Sequence, residues 1–130
     1  MRFLDTNVLI YALATGKRAE IARSLVAEGG VIAIQSLNEF TDVSRRKLKK
    51  DWSEIDADIE ALLTTCSVYD AITVKVQAAG HRISERHRLR IFDAMLVATA
   101  LAADCDTFVS EDLHAGMVFD DRLSVSNPFS

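Results

Sequence analysis

Apolar and polar residues fall in blocks along the chain, and the blocks read as short strands alternating with helices. Phe3-Leu4 begins a buried strand that Asp5 stops, and Val8-Leu9-Ile10-Tyr11-Ala12-Leu13 reads as the start of a helix. Lys17 to Glu28 carries apolar residues at Ala19, Ile21, Ala22, Leu25 and Val26, a helical period that Gly29-Gly30 closes. Val31 to Ile34 predicts a short buried strand ended by Gln35, after which Ser36-Leu37-Asn38-Glu39 opens a helix through Phe40, Val43 and Leu48. Another helix begins at Ser53, with Ile55, Ile59, Leu62 and Leu63 on one face. Ser67-Val68-Tyr69 is β-like, and Asp70 or Thr73 leads into a helix through Val74, Val76 and Ala78 that ends near Gly80. Ser84 to Ile91 is polar and basic and predicts a turn or loop. Phe92 to Ala103 is apolar on nearly every side, so it predicts a buried helix. Thr107-Phe108-Val109 predicts a strand, and Leu123-Ser124-Val125 a last one before Asn127-Pro128.

Strands alternating with helices predict an α/β fold whose parallel sheet is covered on both faces. Crossovers of one hand then bring the carboxyl ends of the strands and the N-termini of the following helices to one edge, where such sheets bind their ligands. Asp5 follows the first strand, Glu39 lies in the first turn after the second, Asp93 opens the helix before the Thr107 strand, and Asp112 follows that strand. All four map to that edge. Each also has a purely structural reading. Asp5 or Asn7 caps a helix, Ser36 and Glu39 form a capping box, Asp93 complements a helix dipole, and Asp112 caps a short helix. Against these readings stands the apolar flank of Asp93, formed by Phe92, Ala94, Met95 and Leu96, where an unpaired charge is costly.

If the four converge, carboxylates about 4 Å apart repel by about 4 kcal/mol at an effective dielectric near 20. They then share protons or are neutralised by a divalent cation. Oxygen-only ligands suit Mg²⁺ or Mn²⁺ over zinc. A hard cation with open positions activates water and steadies a phosphate in transfer, which points to phosphodiester hydrolysis.

The 130 residues suit one domain, and the net charge of −4 leaves no global basic field to attract nucleic acid, so such contacts must come from a local patch or a metal. Cys66 and Cys105 lack metal-site or redox-motif spacing and read as reduced, buried thiols. Asp5 interrupts any secretory signal, and Ala94 to Ala103 is about half the roughly 20 residues of a membrane helix. The expectation is a cytoplasmic protein with no membrane association.

Four segments resemble the PIN-domain family, and specifically its VapC-type toxin ribonucleases. They are Phe3-Leu4-Asp5-Thr6-Asn7-Val8-Leu9, Ser36-Leu37-Asn38-Glu39-Phe40, Phe92-Asp93-Ala94-Met95-Leu96-Val97-Ala98-Thr99-Ala100 and Val109-Ser110-Glu111-Asp112. The ending Val125-Ser126-Asn127-Pro128-Phe129 also resembles the family's close. The resemblance implies a three-layer α/β/α sandwich forming a single PIN domain over residues 1–130. It further implies that Asp5, Glu39, Asp93 and Asp112 bind Mg²⁺ or Mn²⁺, that Thr6 or Asn7 supports the first acid and that Ser110 supports the last. RNA as substrate, a homodimer and a cognate antitoxin that blocks the site are implied as well. One departure is plain. Where the family often has a glycine or small polar residue before the third acid, this chain has Arg86-His87-Arg88-Leu89-Arg90-Ile91, which bears on substrate preference.

Arg86, Arg88 and Arg90, with Arg82, lead to Asp93 and are the candidate RNA contacts. The run Arg45-Arg46-Lys47-Leu48-Lys49-Lys50 reads as a solvated helix end or as a phosphate- or antitoxin-facing patch. His81, His87 and His114 have no ligand spacing, and Ser110 is outside a G-x-S-x-G turn. Trp52 suits packing at a helix junction better than base stacking. Two other functions fit an acidic sheet edge. A receiver-type phosphoacceptor needs a second acid beside Asp5 and a lysine after the last strand, and the chain has neither. A catalytically silent domain binding RNA or protein through the same edge differs only in activity.

Overall fold

Strand β1 (Arg2–Leu4) needs only three residues, because Asp5 turns its side chain onto the next backbone N–H and starts helix α1 (Thr6–Tyr11) at once. The computed structural model describes residues 1–130. Helix α2 (Lys17–Glu28) ends on Gly29, whose φ of 87° is open to glycine and disfavoured for other residues. An added Cβ there would lie 2.5 Å from the Thr65 carbonyl oxygen, so the position also needs a bare backbone.

Strand β2 (Gly30–Ala33) runs directly into helix α3 (Ile34–Arg46), followed by α4 (Trp52–Thr65), β3 (Cys66–Tyr69), α5 (Val74–His87) and α6 (Ile91–Ala102). Strands β4 (Thr107–Val109), β5 (Val118–Phe119) and β6 (Leu123–Ser126) complete one sheet in the order β3-β2-β1-β4-β6-β5. Every pairing is parallel except that of β5 with β6, which is antiparallel.

The period of two along the strands divides the core into two halves. Phe3, Val31, Ala33, Phe108 and Val125 pack with Leu96, Val97, Ala100 and Leu101 of α6. Leu4, Ile32 and Val109 pack on the opposite face with Val8 and Leu9 of α1, Ala22 of α2, Phe40 of α3 and Leu62 of α4. The expected three layers are therefore present, with a mainly parallel sheet between them. Cys66 and Cys105 are buried and free, and they lie in opposite halves. No helix is long and apolar enough to cross a membrane.

Several sequence expectations need correction. Helix α5 does not end near Gly80 but continues to His87, so Ser84 to His87 is helical and not a loop. Gly80 serves contact instead, since a Cβ there would meet the Met95 sulfur at 2.3 Å and the Met95 side chain would have to move. Helix α3 starts at Ile34 with Ala33 as its cap, and buried Ser36 makes no cap bond, so the expected Ser36–Glu39 box is absent. The box that does form joins Asp51 and Glu54 at the head of α4. Trp52, at the head of α4, is 58% exposed and meets the α3–α4 junction at the surface, under the Arg45 guanidinium of α3 at 4.7 Å. Leu63 is exposed although it lies on the apolar side of α4, Met95 is only partly buried, and β5 had no period long enough to announce it.

Candidate metal centre

Asp5 sits where β1 ends, and its N–H donates to the Val109 carbonyl at 3.0 Å, which joins the carboxyl ends of β1 and β4. Its Oδ1 accepts from the Thr6 N–H at 2.7 Å, while its Oδ2 accepts from Ser110 Oγ at 2.7 Å and Asn7 Nδ2 at 3.4 Å. Capping and a place at the sheet edge are thus one arrangement, not alternatives. Burial pushes the Asp5 pKa up to about 6 against the pull of the Ser110 and Thr6 hydrogen bonds, and the charges of Asp112 and Asp93 add to the rise.

Asp112 lies on the exposed turn after β4. Its carboxylate accepts from Asn7 Nδ2 at 3.0 Å, and its N–H donates to Ser110 Oγ at 3.1 Å. Asn7 and Ser110 therefore stand between the first and last acids. Asp93 opens α6, with its pKa raised by burial first and by the Asp112 charge second, and Arg90 opposes the rise. Its surroundings are less apolar than the sequence suggests, because Ile91 and Phe92 are 38% and 59% exposed.

Glu39 lies in the second turn of α3, not the first. Its Oε1 accepts from Thr6 Oγ1 at 3.1 Å and from Gln35 Nε2 at 3.3 Å. The same Gln35 nitrogen donates to the Phe92 carbonyl at 3.1 Å, so it links the heads of α3 and α6. Thr6 thus bonds to Asp5 through its backbone and to Glu39 through its hydroxyl.

No three carboxylate, histidine or cysteine side chains close into a ready ligand set. The donors fit a hard divalent cation by chemistry all the same: four carboxylates, one buried with a raised pKa, and no sulfur or imidazole among them. A second observation agrees. Asn7 Oδ1 is buried beside these acids with no hydrogen-bond partner, an oxygen that suits a cation or the water on one.

Two supports were not found in the sequence. Gln35 carried no motif. Glu111, between Ser110 and Asp112, accepts hydrogen bonds from the Tyr11 hydroxyl and the Arg18 guanidinium, while Arg18 also lies over the Tyr11 ring at 5.6 Å. This latch ties the Asp112 turn to α1 and α2 across more than 90 positions of sequence, so no local pattern announced it.

The candidate RNA contacts separate. Arg88 and Arg90 are exposed in the turn before Asp93. Arg86 lines a cavity of about 750 Å³ with Lys75, Arg82, Ile83, Phe119 and Arg122, and none of the four acids borders it. Of the distal basic run, Arg46 is paired with Asp42 and Lys50 with Asp58.

The sequence matches the PIN domain family over residues 2–116. No curated protein matches it. Among solved structures, a toxin–antitoxin complex from Klebsiella pneumoniae has a chain superposing with a TM-score of 0.71 at 15% identity, covering 99% of this chain and 98% of that one. FitAcB from Neisseria gonorrhoeae gives 0.67 at 18% identity, covering 98% of each chain. VapBC2 from Rickettsia felis, bound to a DNA fragment from its promoter, gives 0.60 at 19% identity, covering 85% of this chain and 87% of that one. At these identities the likeness is one of fold.

Proposed function

The chain belongs to the PIN domain family, and from that premise we propose that it is a divalent-metal-dependent endoribonuclease and the toxin half of a toxin–antitoxin pair. The observation that carries the reading is the hydrogen-bonded set Asp5–Asn7–Ser110–Asp112, which draws two acids 107 positions apart onto one sheet edge. One of the solved chains of like fold comes from a toxin–antitoxin complex, which supports an antitoxin partner. The whole of residues 1–130 is proposed as one such domain, because β6, beyond the family match, pairs with β4 inside the sheet. A homodimer, an antitoxin blocking the acidic edge and a cytoplasmic site of action complete the reading.

Asp5, Asp93 and Asp112 are the proposed ligands of Mg²⁺ or Mn²⁺. Bound there, the cation supplies charge neutralisation and a water of lowered pKa. Ser110, Thr6 and Asn7 hold the Asp5 carboxylate in one orientation, and Asn7 holds Asp112. Glu39 accepts from Thr6 and Gln35 through Oε1. This leaves Oε2 to orient an attacking water, to accept its proton or to join the ligand set. Incubating the purified protein with mixed RNAs in Mn²⁺, Mg²⁺ or EDTA tests the reading. Internal cuts in either metal that EDTA abolishes are expected, and a protein that cuts no RNA in any metal would refute it.

A further inference from the structure

Phe92 stands immediately before Asp93 in the first turn of α6, and 59% of it is exposed. Its backbone is held all the same, because Gln35 Nε2 donates both to the Phe92 carbonyl at 3.1 Å and to Glu39 Oε1 at 3.3 Å. An exposed aromatic residue thereby has its backbone tied to Glu39, one position before Asp93. On its N-terminal side lie two exposed guanidiniums. Arg88 takes a left-handed φ of 56° as α5 ends, and Arg90 caps α6, its charge acting on Asp93. Neither is in an ion pair, in contrast to Arg46, Arg18 and Arg122.

A bare acidic edge repels a polyanion, so an RNA strand there needs cationic contacts besides a metal. Arg88 and Arg90 supply them where the strand would meet Asp93. The ring alone would suit any apolar partner. An exposed ring preceded in the chain by two exposed, unpaired arginines suits a phosphodiester strand, which presents an aromatic face and a negative charge at each nucleotide. We propose that Phe92 is a stacking platform for one unpaired nucleobase beside the cleaved phosphate, with Arg88 and Arg90 on the flanking phosphates. A strand with an unpaired base can reach such a ring, whereas a duplex keeps its base faces stacked. This inference rests on the nuclease reading above.

The test measures cleavage of a randomised single-stranded RNA pool and of a fully paired duplex in Mn²⁺, for wild type and for Phe92→Ala, Phe92→Leu and Phe92→Trp. Phe92→Ala and Phe92→Leu should each lose about 10-fold or more on the single-stranded pool, a loss that falls on KM, while Phe92→Trp retains the wild-type KM. In a Trp52→Phe background, the Phe92→Trp fluorescence should be quenched on adding the pool; Trp52 is otherwise the chain's single tryptophan. A Phe92→Leu protein with the wild-type KM would overturn stacking in favour of a plain apolar contact. A Phe92→Ala protein with altered mass by light scattering and unaltered KM would overturn it in favour of a face that meets a second copy. If wild type cuts RNA and Phe92→Ala cuts it equally well, stacking fails and the nuclease reading stands. If wild type neither cuts nor binds RNA, both fall.

Discussion

The Ser110 hydroxyl donates to Asp5 Oδ2 at 2.7 Å, across the parallel pairing of β1 with β4. This bond favours the charged form of a buried carboxylate, so removing it makes ionisation harder. Ser110→Ala should raise the Asp5 pKa above its present value of about 6 and weaken Mn²⁺ binding at neutral pH. Thermal shifts with Mn²⁺ across pH check this: the midpoint of the metal response should move to higher pH. An unmoved midpoint would show that the hydroxyl does not act on Asp5.

Asp5 also sets a pH dependence of stability without metal. Burial raises its pKa from 3.8 to about 6, so the folded chain holds this proton more tightly than the unfolded one. The advantage of the protonated form is present below pH about 4 and is lost as pH rises through about 6, a contribution of about 3 kcal/mol. Asp5→Asn keeps the cap acceptor and removes the ionisation. In EDTA it should be more stable than wild type above pH about 6, by up to that amount, and it should not respond to Mn²⁺. Urea titrations at low and neutral pH read both effects.

Glu111 is held by Tyr11 and Arg18, and it neighbours both Ser110 and Asp112. Glu111→Ala frees the turn that carries Asp112 and leaves the core untouched. Metal affinity should fall several-fold, with stability reduced by about 1 kcal/mol. Mn²⁺ titration separates the two quantities, and Glu111→Gln, which keeps the acceptor, should restore part of the affinity.

Gly29 answers to the fold alone. A side chain there combines a positive φ with a 2.5 Å approach to the Thr65 carbonyl. Gly29→Ala should cost about 2–4 kcal/mol in urea unfolding, with the remaining folded protein binding Mn²⁺ as wild type does.

The acids were legible because a parallel sheet has one carboxyl edge, so placing Asp5, Asp93 and Asp112 required only the order of the elements. Their supports were legible only where a motif carried them. Asn7 and Ser110 lie within two residues of an acid, whereas Gln35, Tyr11 and Arg18 act through contacts that span 57 to 100 positions. Local chemistry misled where packing outweighed it. The S-x-x-E pattern at Ser36–Glu39 matches a capping box as well as Asp51–Glu54 does, but β2 enters α3 without a loop and buries Ser36. Gly80 looked like a helix end and is a helix contact, a distinction that depends on Met95 in the next helix.

If these acids form a metal-dependent RNA-cleaving site, Asp93→Asn should abolish its activity. Asp93 makes no side-chain hydrogen bond that would complicate the substitution, in contrast to Asp5, which caps α1. Cleavage of RNA in Mn²⁺ should fall by at least about 100-fold, since even groups behind metal ligands are worth about 10–100-fold, while the fold melts as before. Cleavage by Asp93→Asn at the wild-type rate, or wild-type cleavage that persists in EDTA, would show that the acidic edge is not a metal-dependent cleaving site.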